Sequence, residues 1–150
     1  GGAQPICPGF HVTSRPPSSS ASSSSPPSSS SPSFEPGGMR ELHWHPNAAE
    51  WQFYIRGNGR MTVFGSHGRA RTDDFGPGDV GYVPQGYGHY VENTGSDDLE
   101  MVLAFNNGIY QSVSITAWMA STPDLTLATN FKVPASTFAA FPKGEEVMPD

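Results

Sequence analysis

The sequence predicts an all-β fold, a small antiparallel barrel or sandwich with a low-complexity tract before it and short helices after it. Three observations carry this expectation. From Met39 to Phe105 the chain is a series of short apolar or alternating runs, the pattern of half-buried strands. Each run ends in a turn-forming cluster such as Gly57-Asn58-Gly59 or Gly76-Pro77-Gly78, of the kind that closes hairpins. The whole chain has 150 residues, room for one domain.

The elements follow in order. Ser18 to Ser33 comprises twelve Ser, three Pro and one Ala, a composition that cannot bury apolar surface. Residues 1–33 are therefore expected to be a disordered segment. Strands are expected at Met39–Trp44, Glu50–Arg56, Arg60–Phe64, Ala70–Phe75, Val80–Val83, Tyr90–Asn93 and Leu99–Phe105, within a barrel spanning 34–110. Residues 111–150 form a helical or irregular extension. Ser112 or Ser114 can cap a short helix through Ile115–Ala120, and helical turns are expected over Pro123–Thr129 and Pro134–Phe141 with proline at the first helical position.

Composition excludes some classes. A net charge of -6 with eight basic residues in no cluster argues against nucleic acid as a partner. No stretch approaches the roughly 18 apolar residues of a membrane span. Cys7 is the single cysteine, so no intrachain disulfide forms and the cysteines do not report the compartment. The first residues, Gly-Gly-Ala-Gln-Pro-Ile-Cys-Pro, have neither the basic start nor the apolar core of a signal peptide as they stand. With no initiator Met, a fragment or a processed product is expected.

Two spaced motifs carry the chemistry. The first is Gly37, five residues, His43-x-His45, four residues, Glu50, six residues, Gly57. The second is Gly78, five residues, Pro84-x-Gly86, two residues, His89, three residues, Asn93. Alternation sends His43 and His45 to one face of a strand. Glu50 follows across a turn at Pro46-Asn47, and His89 arrives from a second hairpin. Three imidazoles and a carboxylate suit Mn, Fe, Zn, Ni or Cu, with positions left open for water or a chelating ligand. His43, His45, Glu50 and His89 are the expected metal ligands. Glu50, Gln52 and Tyr54 share a face, so Gln52 and Tyr54 either line the cavity or are satisfied polar residues of the barrel. The Asp73-Asp74 and Asp97-Asp98 pairs are read as solvated turn residues, His11 and His67 as bystanders, and Asn93 as the fastening of a turn or strand end.

Both motifs match the cupin signature at every fixed position, with 20 residues between them, Asn58 to Pro77. Gly38-Met39-Arg40-Glu41-Leu42-His43-Trp44-His45, Gly78-Asp79-Val80-Gly81-Tyr82-Val83-Pro84 and Gly88-His89-Tyr90-Val91-Glu92-Asn93 resemble the second cupin domain of the oxalate decarboxylase family. The resemblance runs from about Pro36 to Pro123. It implies a germin-like, double-stranded β-helix (jelly-roll) barrel, usually loaded with manganese, acting on oxalate or a similar small carboxylate. It also implies that Arg40 is the substrate-binding arginine. Strict alternation sends Arg40 to the face opposite His43, and a bulge would turn it inward.

Two departures temper what the family implies. Its members carry two cupin domains, with strands upstream of the first motif where this chain has its Ser/Pro tract, so a truncated or spliced product is expected, with a homo-oligomer or a second cupin domain completing the fold. The family also places a glutamate near the metal at the position of Leu103, and Glu100 would face the opposite side. The alternatives are therefore an oxidase-type outcome that gives hydrogen peroxide, or a cupin that binds metal and ligand without catalysis.

Overall fold

A computed structural model describes residues 33–139 and 141. The expectations for residues 1–32, including Cys7 and His11, lie outside the described residues. Among the described residues nine strands run in chain order: β1 (Ser33–Phe34), β2 (Met39–Trp44), β3 (Glu50–Arg56), β4 (Gly59–Phe64), β5 (Ala70–Phe75), β6 (Val80–Val83), β7 (Gly88–Asn93), β8 (Leu99–Phe105) and β9 (Val113–Ser114). They form a four-stranded sheet in the order β1-β8-β3-β6 and a five-stranded sheet in the order β5-β4-β7-β2-β9. Every pairing is antiparallel. This is the cupin architecture that the resemblance implied.

Burial follows the period of two. Alternate residues of β3, β4 and β7 are buried, as strands with one face on a core require. The two sheets meet on Tyr54, Val83, Leu99 and Met101 from one side and Met61, Val63, Phe75 and Val91 from the other. Leu99 and Tyr54 are wholly buried, and truncating such a residue to Ala costs about 2–5 kcal/mol. Along the inner face of β3 the chemistry changes by steps: Tyr54 belongs to the apolar end, Gln52 is intermediate, and Glu50 stands at the polar end among the histidines. One end of the barrel is thus a core and the other is a site.

The turn residues of the motifs have structural causes. Gly57 adopts φ +81°, and a Cβ there would lie 2.6 Å from the Asp98 carbonyl oxygen, so only glycine fits. Asn93 is buried; its amide donates to the carbonyls of Phe34 and Asp97, and its Oδ1 accepts from the Gly95 N–H. It fastens the β7–β8 turn and β1, as the sequence reading expected.

Some details differ from the sequence reading. Ser33 and Val113–Ser114 join the sheets, so strand pairing extends past both expected barrel bounds. These two-residue strands are too short for any periodic signal. Ser114, not Ser112, caps α1 (Ile115–Ala120), accepting from the Ala117 N–H. Pro123 and Pro134 precede α2 (Asp124–Phe131) and the 3-10 turn Ala135–Phe138 as caps, with backbone ψ of 136° and 143°, one residue outside the expected position. Asp73 and Asp74 lie within β5, not at a turn, and pair with Arg71 and Arg60 at 2.7 Å. Of the two Asp97-Asp98 residues, Asp98 lies 3.8 Å from Arg56.

Candidate metal centre

His43, on β2, and His45, just past its end, face inward, as alternation requires. Glu50 opens β3 and His89 lies on β7, directly opposite His43. All four are buried, between 2% and 3% exposed. Their potential ligand atoms lie within 4.8 Å of one another. The ring centroids of His43 and His89 are 4.2 Å apart, and those of His43 and His45 are 4.9 Å apart. The two motifs therefore converge, and the expected ligand set is brought together complete.

Hydrogen bonding decides what these side chains offer. Each imidazole points Nδ1 at a backbone carbonyl: His43 at Glu41 (2.7 Å), His45 at Gln111 (2.8 Å) and His89 at Tyr87 (3.1 Å). A carbonyl only accepts, so Nδ1 carries the proton and, in the neutral ring, Nε2 carries a lone pair. Glu50 Oε2 lies 2.9 Å from His45 Nε2 and 3.1 Å from His89 Nε2. Despite that approach, His45 Nε2 has no hydrogen-bond partner. Lone pairs facing a buried carboxylate at these distances repel it unless a cation lies among them. Protons or a metal ion can be that cation, and three imidazole nitrogens with one carboxylate oxygen fit a divalent transition metal. The residues present suit the group.

Electrostatics agree with this. Burial, helped by the proximity of His89 and Arg40 and opposed by the bond to Glu41, lowers His43 from 6.5 to about 3, so its ring is neutral and ready to ligate. Burial acts to raise Glu50, but the His45 and His89 imidazoles against Oε2 and the bond from Gln52 outweigh it and hold the carboxyl well below the usual range. Glu50 Oε1 accepts from Gln52 Nε2 (2.8 Å), and Gln52 Oε1 accepts from the Tyr54 hydroxyl (2.8 Å). Burial first, then the Glu50 and Asp79 charges, push the Tyr54 phenol up. Gln52 is thus a hydrogen-bonded partner of a candidate ligand, and Tyr54 is a partner of Gln52, which the sequence alone left undecided.

Arg40 is on the inner face. Its cross-strand partner Val91 is buried in the core, and the register of β2 shifts by one residue between Arg40 and His43. Its Nη2 donates to the Tyr110 hydroxyl at 3.2 Å, and its Nη1 lies 3.5 Å from Glu41 Oε1. Tyr110 is a residue that the sequence reading missed. Its ring packs 5.3 Å from those of His45 and Phe105. The segment carrying it is tied down by Asn47 to the Ile109 carbonyl, Asn107 to the Asn47 carbonyl and His45 to the Gln111 carbonyl. No spacing rule links position 110 to His45, and only the asparagines at 106 and 107 signal an ordered turn. Leu103 lies opposite Gln52 on β8 and packs on the core, while Glu100 lies opposite Ser33 and Arg56. His67 is exposed in a turn at φ 61°.

Fold and site define a class. A family model for cupins matches residues 25–137, and the chain belongs to the cupin family. Within that family it is oxalate decarboxylase-like. It is 56% identical over 90 residues to the oxalate decarboxylase OxdC of Bacillus subtilis (strain 168), covering 60% of this chain and 23% of that protein. A solved structure of Bacillus subtilis oxalate decarboxylase, studied for its Mn(II) centres, superposes with a TM-score of 0.75 at 44% identity, covering 79% of this chain and 31% of that one. The formate complex of Lactobacillus farciminis oxalate decarboxylase gives a TM-score of 0.74 at 38% identity over 77% of this chain and 34% of that one. The chain thus spans a quarter to a third of the length of these relatives. Among its described residues no helix is long and apolar enough to cross a membrane.

Proposed function

We propose that the chain binds manganese through His43, His45, Glu50 and His89 and takes oxalate, or a similar small carboxylate, at that ion. The observation that carries this reading is the convergence of three Nε2 lone pairs and Glu50 Oε2 in one buried cluster, close to Arg40. Likeness to a protein with Mn(II) centres and to one solved with formate supports the choice of ion and ligand. A bound manganese would supply Lewis acidity and a one-electron couple.

The chain's own residues have separable tasks. Arg40, a quarter exposed, offers a planar fork that fits one carboxylate of the substrate bidentately. Phe105 and Tyr110 pack about His45 and limit water on that side. Turnover to carbon dioxide and formate consumes one proton per oxalate. Leu103 occupies the inner-face position where the resemblance implies a glutamate, and it carries none.

That leucine favours a second reading, in which oxalate is bound but is either oxidised by dioxygen to carbon dioxide and hydrogen peroxide or left unreacted. Incubating the manganese-loaded chain with oxalate and measuring formate and peroxide separately distinguishes these outcomes. Formate above peroxide supports decarboxylation, peroxide above formate supports oxidation, and binding without either supports a binding role. Failure to retain manganese would refute the reading at its base. A second copy or a second cupin domain is the proposed partner, because β8 pairs on its outer side only with Ser33–Phe34 among the described residues. Nucleic acid is not a proposed partner.

A further inference from the structure

We infer that the hydrogen-bond chain Tyr54–Gln52–Glu50 locks Glu50 as a one-oxygen ligand, so that a bound ion keeps enough open positions for a chelating dicarboxylate. The inference deepens the proposed function and rests on it.

The lock is assembled on one face of β3. The Tyr54 hydroxyl donates to Gln52 Oε1, which orients the amide so that Nε2, and not Oε1, faces Glu50. Nε2 then donates to Glu50 Oε1 at 2.8 Å, leaving Oε2 directed at His45 and His89. Both ends of the chain are fixed by packing. Tyr54 is wholly buried and stacks on Phe75, with centroids 4.7 Å apart and planes 8° apart. Gly59 makes room for it, since a Cβ there would lie 2.9 Å from Tyr54 Cε1. Gly81 is the cross-strand partner of Gln52, and an added Cβ there would crowd Met61 Cε at 3.1 Å and reach contact with Gln52 Oε1 at 3.4 Å. Gln52 is 1% exposed, so water cannot replace either bond.

Carboxylates bind metal ions with one oxygen or with two. Three imidazoles and one oxygen leave two positions of an octahedral ion free, the number a chelating dicarboxylate needs. A two-oxygen Glu50 would leave one. Retention of the metal does not require the lock, because a chelating glutamate holds an ion as well. Occupancy and ligand binding should therefore separate when the lock is removed.

The test compares the wild type with Gln52→Met/Tyr54→Phe, which removes both polar partners and leaves Glu50 Oε1 without its hydrogen bond and so free to turn to the ion. Manganese content, the Mn(II) paramagnetic resonance spectrum with and without oxalate, and an oxalate titration are measured. The double variant should keep wild-type manganese content, show an altered spectrum before oxalate is added, and bind oxalate about 10-fold more weakly, the scale on which outer partners of ligands act. Tyr54→Phe alone keeps the ring on Phe75, should show a smaller change in the same direction, and carries the test if the double variant does not fold. A variant spectrum and oxalate affinity equal to wild type overturn the lock and leave the proposed function standing. Loss of manganese as complete as in Glu50→Ala also overturns it, since the pair would then hold the ion itself. A wild type whose manganese spectrum ignores oxalate refutes the oxalate reading and the lock with it.

Discussion

Arg40 and His43 lie on the same face of β2 although three positions separate them. Arg40 pairs with Val91 and His43 with His89, so β2 holds one residue more than β7 between the two pairs. This bulge turns the strand by one residue and brings the guanidinium and the His43 imidazole to one side. The Arg40 charge accordingly helps to lower His43.

Arg40→Lys should weaken oxalate binding while leaving manganese content intact. Lysine keeps the charge and loses the planar fork. One lost charge-assisted bond costs roughly 1.5–3 kcal/mol, about 10-fold or more in affinity. Calorimetric titration of the metal-loaded variant reads this directly, and an unchanged affinity removes Arg40 from the site.

Asn93→Ala should destabilise the fold without abolishing metal binding. The change removes three hydrogen bonds that tie Gly95, Asp97 and Phe34 together. Buried groups left unpaired cost about 1–3 kcal/mol each, so a loss of at least about 3 kcal/mol is expected in denaturant unfolding. Wild-type stability would assign the motif asparagine some other task.

Much of this was legible in the sequence, for physical reasons. Strand faces follow from alternation in β3 and β7, and the four candidate ligands follow from two motifs whose glycines and proline set the turns. The position of Arg40 was not readable, because a one-residue bulge reverses every side chain beyond it and leaves no compositional mark. Tyr110 escaped for a different reason: it reaches His45 through a loop held by side-chain-to-carbonyl bonds, and such bonds have no sequence period. The two-residue β1 and β9 were invisible, since pairing and not propensity makes them strands.

Leu103→Glu should raise formate yield. The position lies on the inner face of β8 opposite Gln52, and a general acid placed there contributes about 10²–10⁴-fold. Burial would raise the new carboxyl's pKa, which suits a donor and costs some stability. Robust formate production by the unmodified chain, with little peroxide, would show that the proton comes from elsewhere.

The metal-free protein should lose stability on acidification. Folded His43 is lowered from 6.5 to about 3, so between those values the unfolded chain binds a proton that the folded chain does not. The stability this shift contributes is complete above pH 6.5 and is lost as pH falls toward 3. Glu50, also lowered, acts with the same sign at the acid end. Thermal unfolding of metal-free samples across this range checks it; a melting temperature that rises on acidification contradicts the neutral, buried state of His43.

The most direct test of the account is manganese stoichiometry by elemental analysis of the wild type, His45→Ala and Glu50→Ala, each purified from cells supplied with manganese. One ion per chain in the wild type and a clear loss in both variants are expected, because each change removes one of four buried donors. Equal metal content in all three proteins would contradict the site and every function assigned to it.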